Sequence, residues 1–179
     1  MEHNQLAADG TTFDNGYGIC MIPRTKLTTA TWNTDSILDG AYNSSTMHTS
    51  HLPGIVTKLQ RVLGSHIVQR NVLLSSSVDR NGYSNAYTWT TTYATLMSIG
   101  QMTGTFTENE NNYDDGKANY KLPIFNSKEY KTGSYFWSRG ISGGFRGACS
   151  AWCVDNGGSI ARDYSVSNKF DVRPLIYLR

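Results

Sequence analysis

The sequence predicts an α+β domain, richer in strand than in helix and carrying long irregular loops. Three observations predict it. Residues 53–63 (PGIVTKLQRVL) hold a helical period over three turns. From residue 135 onward, short apolar and aromatic runs alternate with Gly-, Asn- and Ser-rich turns, the pattern of antiparallel strands. Long polar stretches, 28–50 and 105–120, separate these regions. The 179 residues suit one domain, long enough to bury a core without metal or disulfide staples.

Taken in order, residues 1–16 are polar and are expected to be a flexible lead-in. The domain proper is expected over 17–179. Residues 17–23 (YGICMIP) are apolar and predict a short buried strand. Residues 28–50, rich in Thr, Asn, Ser and Gly, predict irregular loop. In 53–63, Ile55, Val56, Leu59, Val62 and Leu63 fall on one helical face. Pro53 suits the first turn and Gly64 the C-terminal stop. Residues 67–74 (IVQRNVLL) predict a strand, and 79–86 (DRNGYSNA) a turn containing Asn-Gly. Between 87 and 102, Thr and Tyr favour strand. Tyr93, Leu96, Met97 and Gly100 can instead share a helical face, which predicts a short helix at 92–99.

Residues 105–120 form a polar, acidic loop in this reading, and 121–125 (KLPIF) an apolar anchor. Strands follow at 135–139, 145–154, 159–164 and 172–178. Asp155-Asn156-Gly157-Gly158 supplies a hairpin turn.

Composition narrows the function. Charged residues are only 17% of the chain, low for an ordinary cytosolic enzyme. Uncharged polar and aromatic residues take their place, as in β proteins with exposed binding surfaces. Sixteen basic and fourteen acidic residues are spread without a basic block, which argues against a nucleic-acid partner. No apolar run reaches the roughly 18 residues of a membrane span. The opening MEHNQLAADG lacks an apolar signal-peptide core. The expectation is synthesis in the cytoplasm without a secretory signal, the protein staying inside the cell or leaving by another route, as a virion protein released by lysis would; the abrupt start suggests a longer parent protein or a trimmed chain. Cys20, Cys149 and Cys153 are an odd set, against a full disulfide framework.

The C-terminal third has a distinctive order. An aromatic strand ending in Arg (YFWSRG, 135–140) precedes a Gly/Ser-rich hairpin (ISGGFRGACSAWCVDNGGSIARDYS, 141–165) and a closing Val-Arg-Pro strand (DVRPLIYLR, 171–179). This resembles C-type-lectin-like domains at the C-termini of phage and prophage structural proteins. MIPRTKLTTATWN (21–33) and DGAYNSSTMHTSHLPGIVTKLQRVLGSHI (39–67) resemble prophage members of the same group. The likeness therefore covers about residues 20–179. It implies a small twisted antiparallel sheet, one or two short helices, long irregular loops and a loop-rich face that presents side chains. Fold relatives include formylglycine-generating enzymes and retroelement-diversified tropism proteins. In the diversified members, the exposed positions lie on the last hairpin.

Within this frame Trp137 is expected in the core. Arg139 and Arg173 are expected to tie loop carbonyls with their guanidinium donors. Pro174 suits an edge or strand start. The candidate ligand-binding residues are Ser142, Phe145, Arg146, Ser150, Trp152, Asp155, Asn156, Arg162, Asp163 and Tyr164. These are residue types that binding loops use. Strand alternation puts Cys149, Ala151 and Cys153 inward and leaves Arg146, Ser150 and Trp152 for exposure.

Enzymatic chemistry fits less well. Cys149 and Cys153 echo the cysteine pair of formylglycine-generating relatives, but four strand residues span roughly 13 Å, too far for one disulfide or one metal. Buried, inert thiols are expected. His48 and His51 have no neighbouring Cys or carboxylate to complete a metal set and are expected in loop or surface roles, as are His3 and His66. Calcium-lectin motifs are missing, Trp32-Asn33-Thr34 being a partial echo. The acidic 108–115 (ENENNYDD) lacks calcium-loop spacing.

The resulting expectation is a non-enzymatic virion domain on the particle surface, without cofactor or catalytic residues and with no metal site. It would recognise a host-surface protein or glycan, contact other virion proteins and form a homo-oligomer. A structural capsid or tail decoration is the alternative. A copper-dependent oxidase is the third reading.

Overall fold

The structure is a computed structural model that describes residues 19–34, 41–79, 84–103, 122–143 and 150–179, with only the backbone described at 142–143 and 161–163. Its architecture is α+β, with mostly antiparallel sheets and a few short helices. In chain order the elements are β1 (Ile19–Met21), β2 (Thr28–Thr31), α1 (Ala41–Ser44), a π-helical turn (Met47–His51), α2 (Leu52–Leu63), β3 (Arg70–Val78), β4 (Ser84–Thr92), β5 (Ala94–Thr95), α3 (Ile99–Thr103), β6 (Phe136–Gly143), β7 (Ser150–Val154), β8 (Ile160–Ser165), β9 (Lys169–Val172) and β10 (Leu175–Leu178). Two 3₁₀ turns, Pro123–Asn126 and Lys128–Tyr130, lead into β6. The apolar anchor expected before them holds where it is described: Leu122 and Phe125 are buried.

Three sheets form: β1–β10–β5, β2–β9–β6–β7–β8, and the ribbon β3–β4. The first described strand pairs antiparallel with the last, Ile19 opposite Leu178. Helix α2 lays Val56 and the half-buried Leu59 and Leu63 on this sheet, against Ile67, Ala94 and Ile176. Gly64 ends the helix at φ +55°, its N–H bonded to the Gln60 carbonyl, as the sequence predicts. Val62 departs from the expected face and is 81% exposed. It lies at the margin of the apolar stripe, beside the side that packs on the sheet.

The five-stranded sheet has an irregular centre. β6 touches β9 through a single parallel pair, Phe136 with Asp171. Two indoles reach across. Trp137 Nε1 donates to the Ala30 carbonyl at 2.9 Å, and Trp32 Nε1 donates to the Ser138 carbonyl at 2.8 Å. Both tryptophans are completely buried. These two bonds tie the β2 region to β6 across the intervening β9.

Four expectations need correction. The helix predicted at 92–99 is strand and turn, and helix begins only at Ile99. Its backbone groups are taken by tertiary partners. Leu96 N donates to the Tyr42 hydroxyl, while the Leu96 and Met97 carbonyls accept from Arg139 Nη1 and Arg139 N. Residues 28–50 are not simply irregular: they hold β2, α1 and most of the π turn, with 35–40 outside the described residues. Strand β3 starts at Arg70 and runs to Val78, Ile67 making only one bridge, to Leu178. The closing strand expected at 172–178 is two strands in different sheets, β9 and β10. Pro174 separates them, since it has no N–H for a ladder and a fixed φ. It stands at a strand start, but β10 is central in its sheet, so the edge reading fails.

Candidate functional site

The site grows from β6 to β9. Tyr135 and Trp137 lie two apart and share a face. Cys153 and Ala151 of β7 stand opposite Trp137 and Tyr164 respectively. Phe170 enters from β9 and becomes the hub of four rings. Its centroid lies 4.5 Å from Trp137, 5.2 Å from Tyr135 and 5.2 Å from Tyr164, and Tyr135 and Tyr164 are 5.5 Å apart. These are favourable spacings for tilted and edge-on aromatic pairs. Trp137 is sealed, while Tyr135, Phe170 and Tyr164 remain half-buried and form an outward platform.

The Tyr164 hydroxyl donates to the Tyr135 hydroxyl at 3.5 Å. That bond, with partial burial and the nearby Tyr135, Cys153 and Asp155, pushes the Tyr164 phenol up to about 12. The phenol therefore stays protonated at neutral pH and keeps its O–H donor.

Arg173 holds the approach to this platform. Nη1 donates to the Tyr130 carbonyl at 3.2 Å and Nη2 to Ser134 Oγ at 2.9 Å. Ser134 Oγ also donates to the Asp171 carboxylate. The guanidinium lies 4.5 Å from the Phe136 ring centroid and 4.0 Å from Asp171 Oδ2. Burial lowers its pKa and Asp171 opposes that shift. These contacts fix residues 130–134, and so the position of Tyr135. Arg139 is completely buried and directs Nη1 to the Leu96 carbonyl at 3.3 Å. It braces the 96–97 turn and lies away from solvent.

The hairpin turn is internally bonded. Asp155 Oδ1 accepts from Gly157 N at 2.8 Å and Ser159 N at 2.9 Å. Gly158 adopts φ +85°, and a Cβ there would stand 3.0 Å from Lys131 Cβ. The Asn156 carbonyl accepts from Gly133 N, which joins the turn to the loop before β6. Asp155 Oδ1 thus shapes the turn.

The expected binding residues divide. Tyr164 belongs to the platform, Ser150 is half-buried at the start of β7, and Asn156 is exposed. Trp152 is a correction: only 6% is exposed. Strand β7 is covered on both faces, so alternation alone misplaces this ring. Its Nε1 is sealed from solvent without a hydrogen-bond partner among the described residues. Phe145 and Arg146 lie outside the described residues. Ser142, Arg162 and Asp163 are described only as backbone in β6 and β8. Tyr135 and Phe170 were not singled out from the sequence. The two-residue step from Tyr135 to Trp137 is the signal that could have found the first. Phe170 depends on a long-range strand pairing.

Cys153 is completely buried, and burial followed by the Asp155 charge pushes its thiol up to about 12. It has no thiolate character near neutrality. Cys149, and with it the expected Cys149–Cys153 separation, lies outside the described residues. His48 and His51 are not in a loop or on open surface: both are half-buried on the π turn. His48 stacks 5.3 Å from Tyr42, and burial, then Arg139, lowers its pKa to about 4. Among the described residues no group of three or more His, Cys, Asp or Glu is placed to hold a metal ion. No described helix is long and apolar enough to cross a membrane. No protein-family model, curated protein or solved structure matches the chain.

Proposed function

We propose that the chain is a non-enzymatic, C-type-lectin-like display domain of a phage or prophage virion that recognises a host surface. The observation that carries the reading is the Tyr135–Phe170–Tyr164 platform. Three partly buried rings, from the start of β6 and from β8 and β9, are packed together beside Trp137, with Arg173 holding the Tyr135 loop. Such rings offer rigid contact area at low entropic cost, and their faces can stack on sugar rings or apolar side chains. Antiparallel pairing of β1 with β10, short helices and the irregular five-stranded sheet support the lectin-like architecture.

The test is adsorption. Purified domain should bind host cells or their isolated surface glycans in a saturable manner. Tyr164→Ala should weaken that binding about tenfold or more, because central aromatic anchors dominate interface energies, while unfolding remains cooperative. Antibody against the domain should label intact particles. Absence of the protein from purified virions would refute the reading. Particles that adsorb normally after its deletion would instead favour decoration, with contacts to neighbouring virion proteins alone.

A further inference from the structure

A second site shares no residue with the platform. A cavity of about 400 Å³ opens between β2 and the helical run formed by the π turn and α2. That volume falls in the roughly 300–1,000 Å³ range of small-molecule sites. We propose that this groove binds a small organic anion, a carboxylate on a short apolar body.

The helical wall is made by two adjacent ridges. Ser50, Gly54 and Lys58 form one, and His51, Ile55 and Leu59 the other, each at i, i+4, i+8. Gly54 is informative. It lies inside a continuous helical run, where glycine costs about 1 kcal/mol relative to alanine. A Cβ at Gly54 would meet no heavy atom within 4 Å, and its φ is not left-handed. Neither packing nor backbone conformation requires glycine there. Its structural effect is to leave the groove open beside Lys58.

Charge and polarity select the ligand. Among its described residues the lining contains Lys58 and no acidic residue. Lys58 has no ion-pair partner among the described residues. By contrast Lys26 contacts Asp171 at 3.4 Å and Arg24 contacts Glu129 at 2.8 Å. Thr29 and Ser50 add hydroxyls elsewhere in the lining. Leu27, 42% exposed, and the buried Ile55 supply the apolar surface. A carboxylate on Lys58, with a short alkyl or aryl body along Leu27 and Ile55, satisfies both parts.

The test uses the full chain and three matched probes: hexanoate, hexan-1-ol and hexylammonium, titrated into ¹⁵N-labelled protein. Hexanoate should give saturable shifts at Thr29, Gly54 and Lys58. Hexan-1-ol should bind about tenfold more weakly, the effect of removing a charge-assisted contact. Lys58→Met should weaken hexanoate by a similar factor, and Gly54→Leu should abolish its shifts while the remaining spectrum persists. Should Gly54→Leu unfold, Lys58→Met and the hexanoate-to-hexanol ratio still decide. Tyr164→Ala should leave hexanoate binding unchanged, which separates this site from the platform. Shifts that never saturate, hexylammonium binding as tightly as hexanoate, or full affinity in Lys58→Met would overturn the proposal.

Discussion

Replacing Trp137 with Phe, and separately Trp152 with Phe, isolates the contribution of an indole N–H at the sheet centre. The two rings sit in neighbouring strands and are both buried, at 0% and 6% exposure. Each substitution loses a similar amount of ring packing, roughly 1–2 kcal/mol. The N–H groups differ. Trp137 Nε1 donates to the Ala30 carbonyl at 2.9 Å, and losing that bond costs about another 1–2 kcal/mol. Trp152 Nε1 is sealed without a partner among the described residues, so its removal relieves a desolvation cost of about 1–3 kcal/mol. Trp137→Phe should therefore destabilise by about 2–4 kcal/mol, whereas Trp152→Phe should be close to neutral. Urea unfolding followed by circular dichroism reads the difference as a midpoint shift at constant slope. Equal losses in the two variants, within about 0.5 kcal/mol, would refute the argument that N–H pairing separates these sites.

His48 is held near pKa 4 by burial and then by Arg139, below its ordinary 6.5. The unfolded chain binds the proton more readily, so the stability from neutral His48 is complete above pH 6.5 and is lost as pH falls toward 4. Urea midpoints at pH 7, 5.5 and 4.5 should fall accordingly, by a total on the order of 2–3 kcal/mol, and His48→Gln should flatten that part of the profile. Cys153, with its thiol raised to about 12, should resist iodoacetamide in the folded protein at pH 8 and label readily in urea. Peptide mass spectrometry distinguishes the outcomes, and rapid native labelling would contradict the burial argument. Arg173→Lys removes the planar fork that spans Tyr130, Ser134 and the Phe136 ring. A loss of about 2–3 kcal/mol in urea unfolding is expected, with weakened platform binding below the midpoint.

Several elements were legible because local chemistry sufficed. Helix α2 follows from its apolar period and its Gly64 stop, and the β7–β8 turn from Asp155 and Gly158. The same approach failed at residues 92–99. Tyr42 and Arg139, distant in sequence, take the backbone groups that a helix would use. It failed also at Trp152, because period two reports alternation and cannot show that both sides of a strand are covered. The platform was half-legible: Tyr164 stood among the candidates, while Tyr135 and Phe170 join it only when β9 lies beside β6.

The sequence by itself determined the α+β class, the helix α2, the β7–β8 hairpin and the low-charge, aromatic-rich composition. These depend on neighbours within a few residues, or on composition. Tertiary structure alone decided which aromatics face outward, that the closing segment divides at Pro174 between two sheets, and that a groove opens between β2 and α2. Each depends on residues far apart in the chain, whose packing and hydrogen bonds outweigh local propensity.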